Sequence, residues 1–180
     1  MLARMSSVPA QLPFHLAKTP TGCTFVSPIG EIKRITHAGE VVYDEPSPLN
    51  VLRLSVPKQE AALLITAVFK VLEVRDGPRA RKLFCNPIFA DGDKNVTSLR
   101  FSSGRALWPP IVDAQNNLAP PPFKLGKGYH VRCAAFAKKS QGIVFVIMTG
   151  VQVVKAPPEP PPFQFDTIEG GFLFPSLSQS

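Results

Sequence analysis

A mainly β fold, a small barrel or sandwich with one helix and proline-rich loops, is predicted from three observations. Short apolar segments recur along the chain with a two-residue alternation. Proline occurs 20 times in 180 residues, which disfavours long uninterrupted helices and a helix bundle. Only one stretch carries an apolar face at helical spacing. Apolar residues make up 44% and charged residues 18%, a globular composition long enough for one domain with tails.

Taken in order, residues 24–26 and 32–36 read as strands flanking Pro28, Ile29 and Gly30, a turn sequence. In residues 51–56, Leu52, Leu54 and Val56 share one face, and Arg53 and Ser55 the other. Residues 58–74 read as a helix, with Leu64, Val68, Val71 and Leu72 on one face and Thr66, Lys70 and Glu73 opposite. Asp76, Gly77 and Pro78 end it. Residues 65–74 are also rich enough in β-branched side chains to form a strand, so the choice stays open. Later strands are expected at 96–101, 129–137, 143–148 and 151–155. Gly126, Lys127 and Gly128 introduce the second of these, and Ser140, Gln141 and Gly142 form its hairpin to the third.

Charge divides the chain. Residues 156–180 hold Glu159, Asp166 and Glu169 with no lysine or arginine, a net −3. Residues 1–155 hold 20 basic against 10 acidic residues, a net +10, and the whole chain is +7. A basic body suggests a polyanionic partner. The tail opens on a proline run that reads as an extended spacer, then carries Phe163, Phe165, Phe172 and Phe174. The expected organisation is an N-terminal arm over 1–20, one domain over 21–155 and the tail over 156–180.

Cys23, Cys85 and Cys133 are dispersed, with no CxxC pair, and read as reduced core thiols rather than a disulfide scaffold or zinc site. No run of 18 apolar residues predicts a membrane span, and the N-terminus lacks the apolar region of a secretory signal. A cytoplasmic protein is therefore expected.

Catalysis is hard to build. His15, His37 and His130 stand in unrelated contexts, and nucleophile-elbow, phosphate-loop and HExxH motifs are absent. Asp91, Asp93 and Asp113 offer a nuclease metal set only as a minor reading. No enzyme and no cofactor are expected. Binding is easier to build. Alternation over 129–138 puts Tyr129, Val131, Cys133, Ala135 and Ala137 on a core-like side. His130, Arg132, Phe136 and Lys138 lie on the other, with Lys139 following. Cations that track phosphates and a ring that accepts an unstacked base are what a single-stranded nucleic acid needs. Arg53, Arg100 and Arg105 add charge on or near strands, and Phe101 and Trp108 add rings. Trp108, before two prolines, is either a core plug or a rigid stacking platform. Lys33, Arg34, Arg79, Arg81 and Lys82 extend the charge.

The C-terminal half resembles phage single-stranded DNA-binding proteins with an OB-fold. The matching pieces are Asp91-Gly92-Asp93, Pro110-Ile111-Val112-Asp113, Gly128-Tyr129-His130-Val131-Arg132 and Gly150-Val151-Gln152-Val153-Val154-Lys155, in that order. The segment FDTIEGGF is similar to the acidic, Phe-containing ends of that family, although this chain closes on PSLSQS. The resemblance implies an OB-like barrel that coats single strands during phage DNA replication or recombination, with no cofactor. It also implies a tail that meets replication or recombination proteins. Two other classes stay open: a virion structural or assembly protein, and a metal-dependent nuclease. The oligomeric state is not legible, and a homo-oligomer stays open. An acidic tail with rings imitates a short single strand, so it is expected to compete with DNA for the basic body.

Overall fold

The alternation read along the strands wraps into a closed barrel. The computed structural model describes residues 13–38, 41–42, 45–85, 94–104, 108–121 and 123–158. The strands are β1 (His15–Thr19), β2 (Gly22–Val26), β3 (Gly30–Thr36), β4 (Val41–Val42), β5 (Glu45–Pro46), β6 (Asn50–Pro57), β7 (Val96–Ser103), β8 (Ile111–Val112), β9 (His130–Ser140) and β10 (Ile143–Lys155). Two helices, α1 (Lys58–Leu72) and α2 (Pro78–Arg81), lie between β6 and β7. The main sheet runs β1-β2-β9-β3-β6-β7-β10-β8, and β9 also pairs with β10. That extra pairing closes β9, β3, β6, β7 and β10 into a five-stranded barrel of the OB type. A small separate ribbon pairs β4 with β5.

Each barrel strand buries mainly one side. In β6, Leu52, Leu54 and Val56 point inward, while Val51, Arg53 and Ser55 stay half-exposed. In β9, Val131, Cys133, Ala135 and Ala137 are the inward set. Phe25, Phe84 and Phe101 meet at the centre, with ring centroids 5.7 to 6.3 Å apart. The three cysteines are buried and unbridged, and burial pushes the Cys23 thiol up to about 11.

Several expectations change in detail. Residues 28–30 do not fold β2 back on β3; the two strands instead pair with successive stretches of β9. Pro28 has no N–H for the ladder. Buried Ser27 bridges the gap: its N–H donates to the Cys133 carbonyl at 2.9 Å, and its Oγ accepts the Cys133 N–H at 3.0 Å. The strands expected at 143–148 and 151–155 are one strand, β10, with an irregularity between Met148 and Gly150. The hairpin turn is as expected: Gln141 and Gly142 both take positive φ, 49° and 76°, which matches the strand twist. Residues 15–19 of the anticipated arm form the edge strand β1, and Phe14 joins the core.

Residues 58–72 are helix, not strand. Ala61, Leu64, Ile65, Val68, Phe69 and Leu72 are buried at three- and four-residue spacing, against β1, β2, β6, β7 and β9. The helix ends at Glu73 in the left-handed region (φ 52°), where the Val74 N–H donates to the Phe69 carbonyl at 2.9 Å. Asp76, Gly77 and Pro78 therefore do not terminate α1; Pro78 opens α2, where its missing N–H does no harm. Arg81 Nε donates to Asp76 Oδ1 at 2.6 Å and holds the Asp76 carboxyl below its usual range.

Candidate nucleic-acid interface

Strand register gathers the outward cations into one row. Arg34 on β3 stands opposite Arg53 on β6, and Arg53 stands opposite Arg100 on β7. On the next strands, Phe145 of β10 stands opposite Lys138 of β9. Ile147 of β10 pairs in parallel with Ser102 of β7, so Phe145 and Arg100 are two residues back on each strand. A groove of about 460 Å³ is lined there by Arg100, Ser102, Lys138, Phe145 and Ile147, among others. The row Arg34–Arg53–Arg100–Phe145–Lys138 has one residue on each of the five barrel strands and curls round the barrel, about 19 Å along the sheet at ordinary strand spacing.

A bulge builds one end of this row. Ile32 pairs with Leu54 and Arg34 with Arg53, so the register shifts by one residue at Lys33. Without that extra residue, Lys33 would oppose Arg53 and Arg34 would turn to the core side. Three arginines directly opposed across strands concentrate positive charge along one row, a field that attracts anions. Burial also pulls the Arg100 guanidinium below its usual value, so this cation is only partly hydrated.

The next row carries Phe136. It pairs with Thr24 of β2 and Ile147 of β10, and its ring lies against Gly22. A Cβ at Gly22 would come within 2.1 Å of the Ala137 carbonyl oxygen and 2.9 Å of Phe136 Cζ. Phe136 is half-buried, and Ile147 beside it is exposed. Trp108 is half-buried against the edge of the core, and its Nε1–H donates to His37 Nδ1 at 2.8 Å. The two rings meet edge to face, 5.3 Å between centroids. His37 directly follows Thr36, which pairs with Val51, two residues from Arg53.

Other anticipated residues fall elsewhere. Phe101 is fully buried in the aromatic core and is corrected out of the interface: β7 turns Leu99 and Phe101 inward, Arg100 and Ser102 outward. Lys139 lies on the opposite side of β9 from Lys138, and its Nζ donates to the Glu73 carbonyl at 3.5 Å, near the C-terminus of α1. His130 and Arg132 face outward but stand six or more residues from Lys138, about 20 Å along β9. Arg132 pairs with Gln152; His130 pairs with Glu31, which pairs with Ser55, two residues from Arg53, so His130 stands in the outward row next to the arginines. Arg105, Asp91, Asp93, Phe163, Phe165, Phe172 and Phe174 lie outside the described residues.

In the sequence Arg34 reads only as general charge, and Phe145 by itself carries no sign of its place in this row. Phe145 could have been found, because a two-residue hairpin at Gln141 and Gly142 sets it opposite Lys138. Asp113, the described member of the suggested metal set, holds its own loop: Oδ1 accepts the N–H groups of Gln115 and Asn117 at 2.8 and 2.9 Å, and Oδ2 accepts Asn117 Nδ2 at 2.9 Å. Those bonds keep its carboxyl below the usual range. Among the described residues, no group of three or more His, Cys, Asp or Glu could hold a metal, and no helix is long and apolar enough to cross a membrane.

No family model and no curated protein sequence matches the chain. Solved structures do. Gp2.5, a single-stranded DNA-binding protein encoded by bacteriophage T7, superposes with a TM-score of 0.52 at 13% identity, over 88% of this chain and 100% of that one. The single-stranded DNA-binding protein of bacteriophage Enc34 gives 0.53 at 11% identity, over 83% and 96%. The same Enc34 protein in complex with single-stranded DNA gives 0.54 at 10%, over 78% and 93%. At such identities the likeness establishes a shared fold.

Proposed function

We propose that this protein binds single-stranded DNA without sequence preference and protects it during phage DNA replication or recombination. The observation that carries this reading is the row Arg34–Arg53–Arg100–Phe145–Lys138 on the barrel surface. Its cations line a path along which phosphates can lie, and its rings can take unstacked bases. No bond to a base edge is needed, so binding tolerates sequence. The shared fold with proteins described as single-stranded DNA-binding, one of them solved with that ligand, supports the same reading. Phe136 and Trp108 are the stacking platforms: Phe136 lies one row from Phe145, opposite Ile147, and Trp108 is held by His37, three residues beyond Arg34. The reaction is passive: the strand is coated, hairpins are removed, and nucleases are excluded.

The test is a salt-titrated binding assay with matched single-stranded DNA, duplex and RNA. Single-stranded DNA is expected to bind tightest, with about 0.7 in the slope of log K against log salt for each neutralised phosphate. Equal or tighter affinity for the duplex would overturn the reading. The acidic tail, with Phe163, Phe165, Phe172 and Phe174, acts in this scheme as a tethered competitor of the DNA. Once displaced, it becomes available to a replication or recombination protein.

A further inference from the structure

Asn50 is only 4% exposed, yet neither of its side-chain hydrogen bonds belongs to the sheet ladder. It opens β6 and stands opposite Ser103, the last residue of β7. Its Oδ1 accepts the Ala38 N–H at 2.9 Å. Its Nδ2 donates to the Gly104 carbonyl at 3.1 Å. Ala38 follows His37, the residue whose Nδ1 accepts the Trp108 indole N–H. One buried amide thus ties the residue after His37, and through His37 the Trp108 indole, to the end of β7.

The amide serves both segments at once, because one presents a donor and the other an acceptor. Aspartate would keep the bond from Ala38 but set an anion against the Gly104 carbonyl. Leucine fills the space and makes neither bond. The tie holds Ala38 and His37, and with them the Trp108 indole, before DNA arrives, so the ring is ordered in advance and less ordering cost falls on binding.

We infer that Asn50 is a positioning residue, which sets Trp108 at the end of the arginine row for a base to stack on. The inference rests on the reading of that row as a single-strand interface. It acts through Trp108 alone and leaves the phosphate contacts untouched.

The experiment uses the full chain, a single-stranded oligothymidylate, and the variants Asn50→Leu, Asn50→Asp, Trp108→Ala and Asn50→Leu/Trp108→Ala. Trp108 is the sole tryptophan, so its emission reports this site alone. Without DNA, Asn50→Leu should shift that emission to the red, as the ring loses its setting. With DNA, Asn50→Leu should bind roughly five- to tenfold more weakly, within the worth of one stacked base, while the salt slope stays the same. Asn50→Asp should behave likewise. In the Trp108→Ala background, Asn50→Leu should add nothing, which a general loss of stability would not reproduce. An unchanged affinity and emission in folded Asn50→Leu overturns the inference, as does an undiminished effect in the Trp108→Ala background. Should the Asn50 variants fail to fold, hydrogen exchange on the unaltered chain decides: the Ala38 amide must be protected as well as strand amides, and rapid exchange overturns the tie. If the unaltered chain binds no strand at all, the interface itself fails, a result distinct from a binding chain indifferent to Asn50.

Discussion

Phe101 and Phe136 are both strand phenylalanines next to basic residues, and only the direction each faces separates their roles. Phe101 is fully buried against Phe25 and Phe84. Its replacement by alanine should cost about 3–5 kcal/mol of stability, read as a lower thermal transition. Phe136→Ala should leave the transition nearly in place and cost roughly 1–3 kcal/mol of single-strand binding. The two lysines at the end of β9 divide in the same way. Lys138 lines the groove with Arg100, whereas Lys139 reaches the Glu73 carbonyl. Lys138→Ala, Arg53→Ala and Arg100→Ala should each lower the salt slope by about 0.7, while Lys139→Ala leaves it unchanged. A slope that falls equally for Lys139→Ala would move the DNA path off this row.

Elements are joined by contacts that single positions control. Gly22 lets β2 run against β9, and any Cβ there meets the Ala137 carbonyl. Gly22→Ala should cost about 1–3 kcal/mol, because two backbones must part, and it should also disturb Phe136. Wild-type stability in this variant would refute so close an approach. At the start of α2, Asp76 has a lowered pKa caused first by its hydrogen bond from Arg81. A carboxylate depressed in the folded state stabilises above the usual carboxylate range, and that contribution is lost as pH falls through the lowered value. Both partners are largely exposed, so the effect is small. Asp76→Asn should lower the thermal transition slightly at neutral pH, and the gap to the unaltered chain should close as the solution is acidified. A gap that widens in acid would show another group at work.

For the whole molecule, the barrel and its helix close within the described residues, and β10 ends at Lys155. Truncation after Lys155 should therefore keep a cooperative thermal transition. It removes a net −3 from a chain of +7. Without its tethered competitor, the body should bind single-stranded DNA more tightly, most clearly at low salt where the opposed charges are least screened. Loss of the transition would make the tail part of the core, and unchanged affinity would remove it as a competitor.

Much of this was legible in the sequence because strand and helix periods depend on local geometry alone. The inward set of β6, the apolar face of α1 and the hairpin at Gln141 and Gly142 all follow from spacing and turn chemistry. The division into a basic body and an acidic, Phe-rich tail is composition and needs no fold. Charge pointed to Arg53, Arg100 and Lys138 one at a time, but nothing local says that they share a row. Pairing between distant strands decides that, and a single extra residue at Lys33 decides whether Arg34 joins them or turns inward. The same long-range pairing sends Phe101 to the core and brings Asn50 between Ala38 and Gly104. Local rules thus determine which faces a segment has, while barrel closure determines which segments those faces meet.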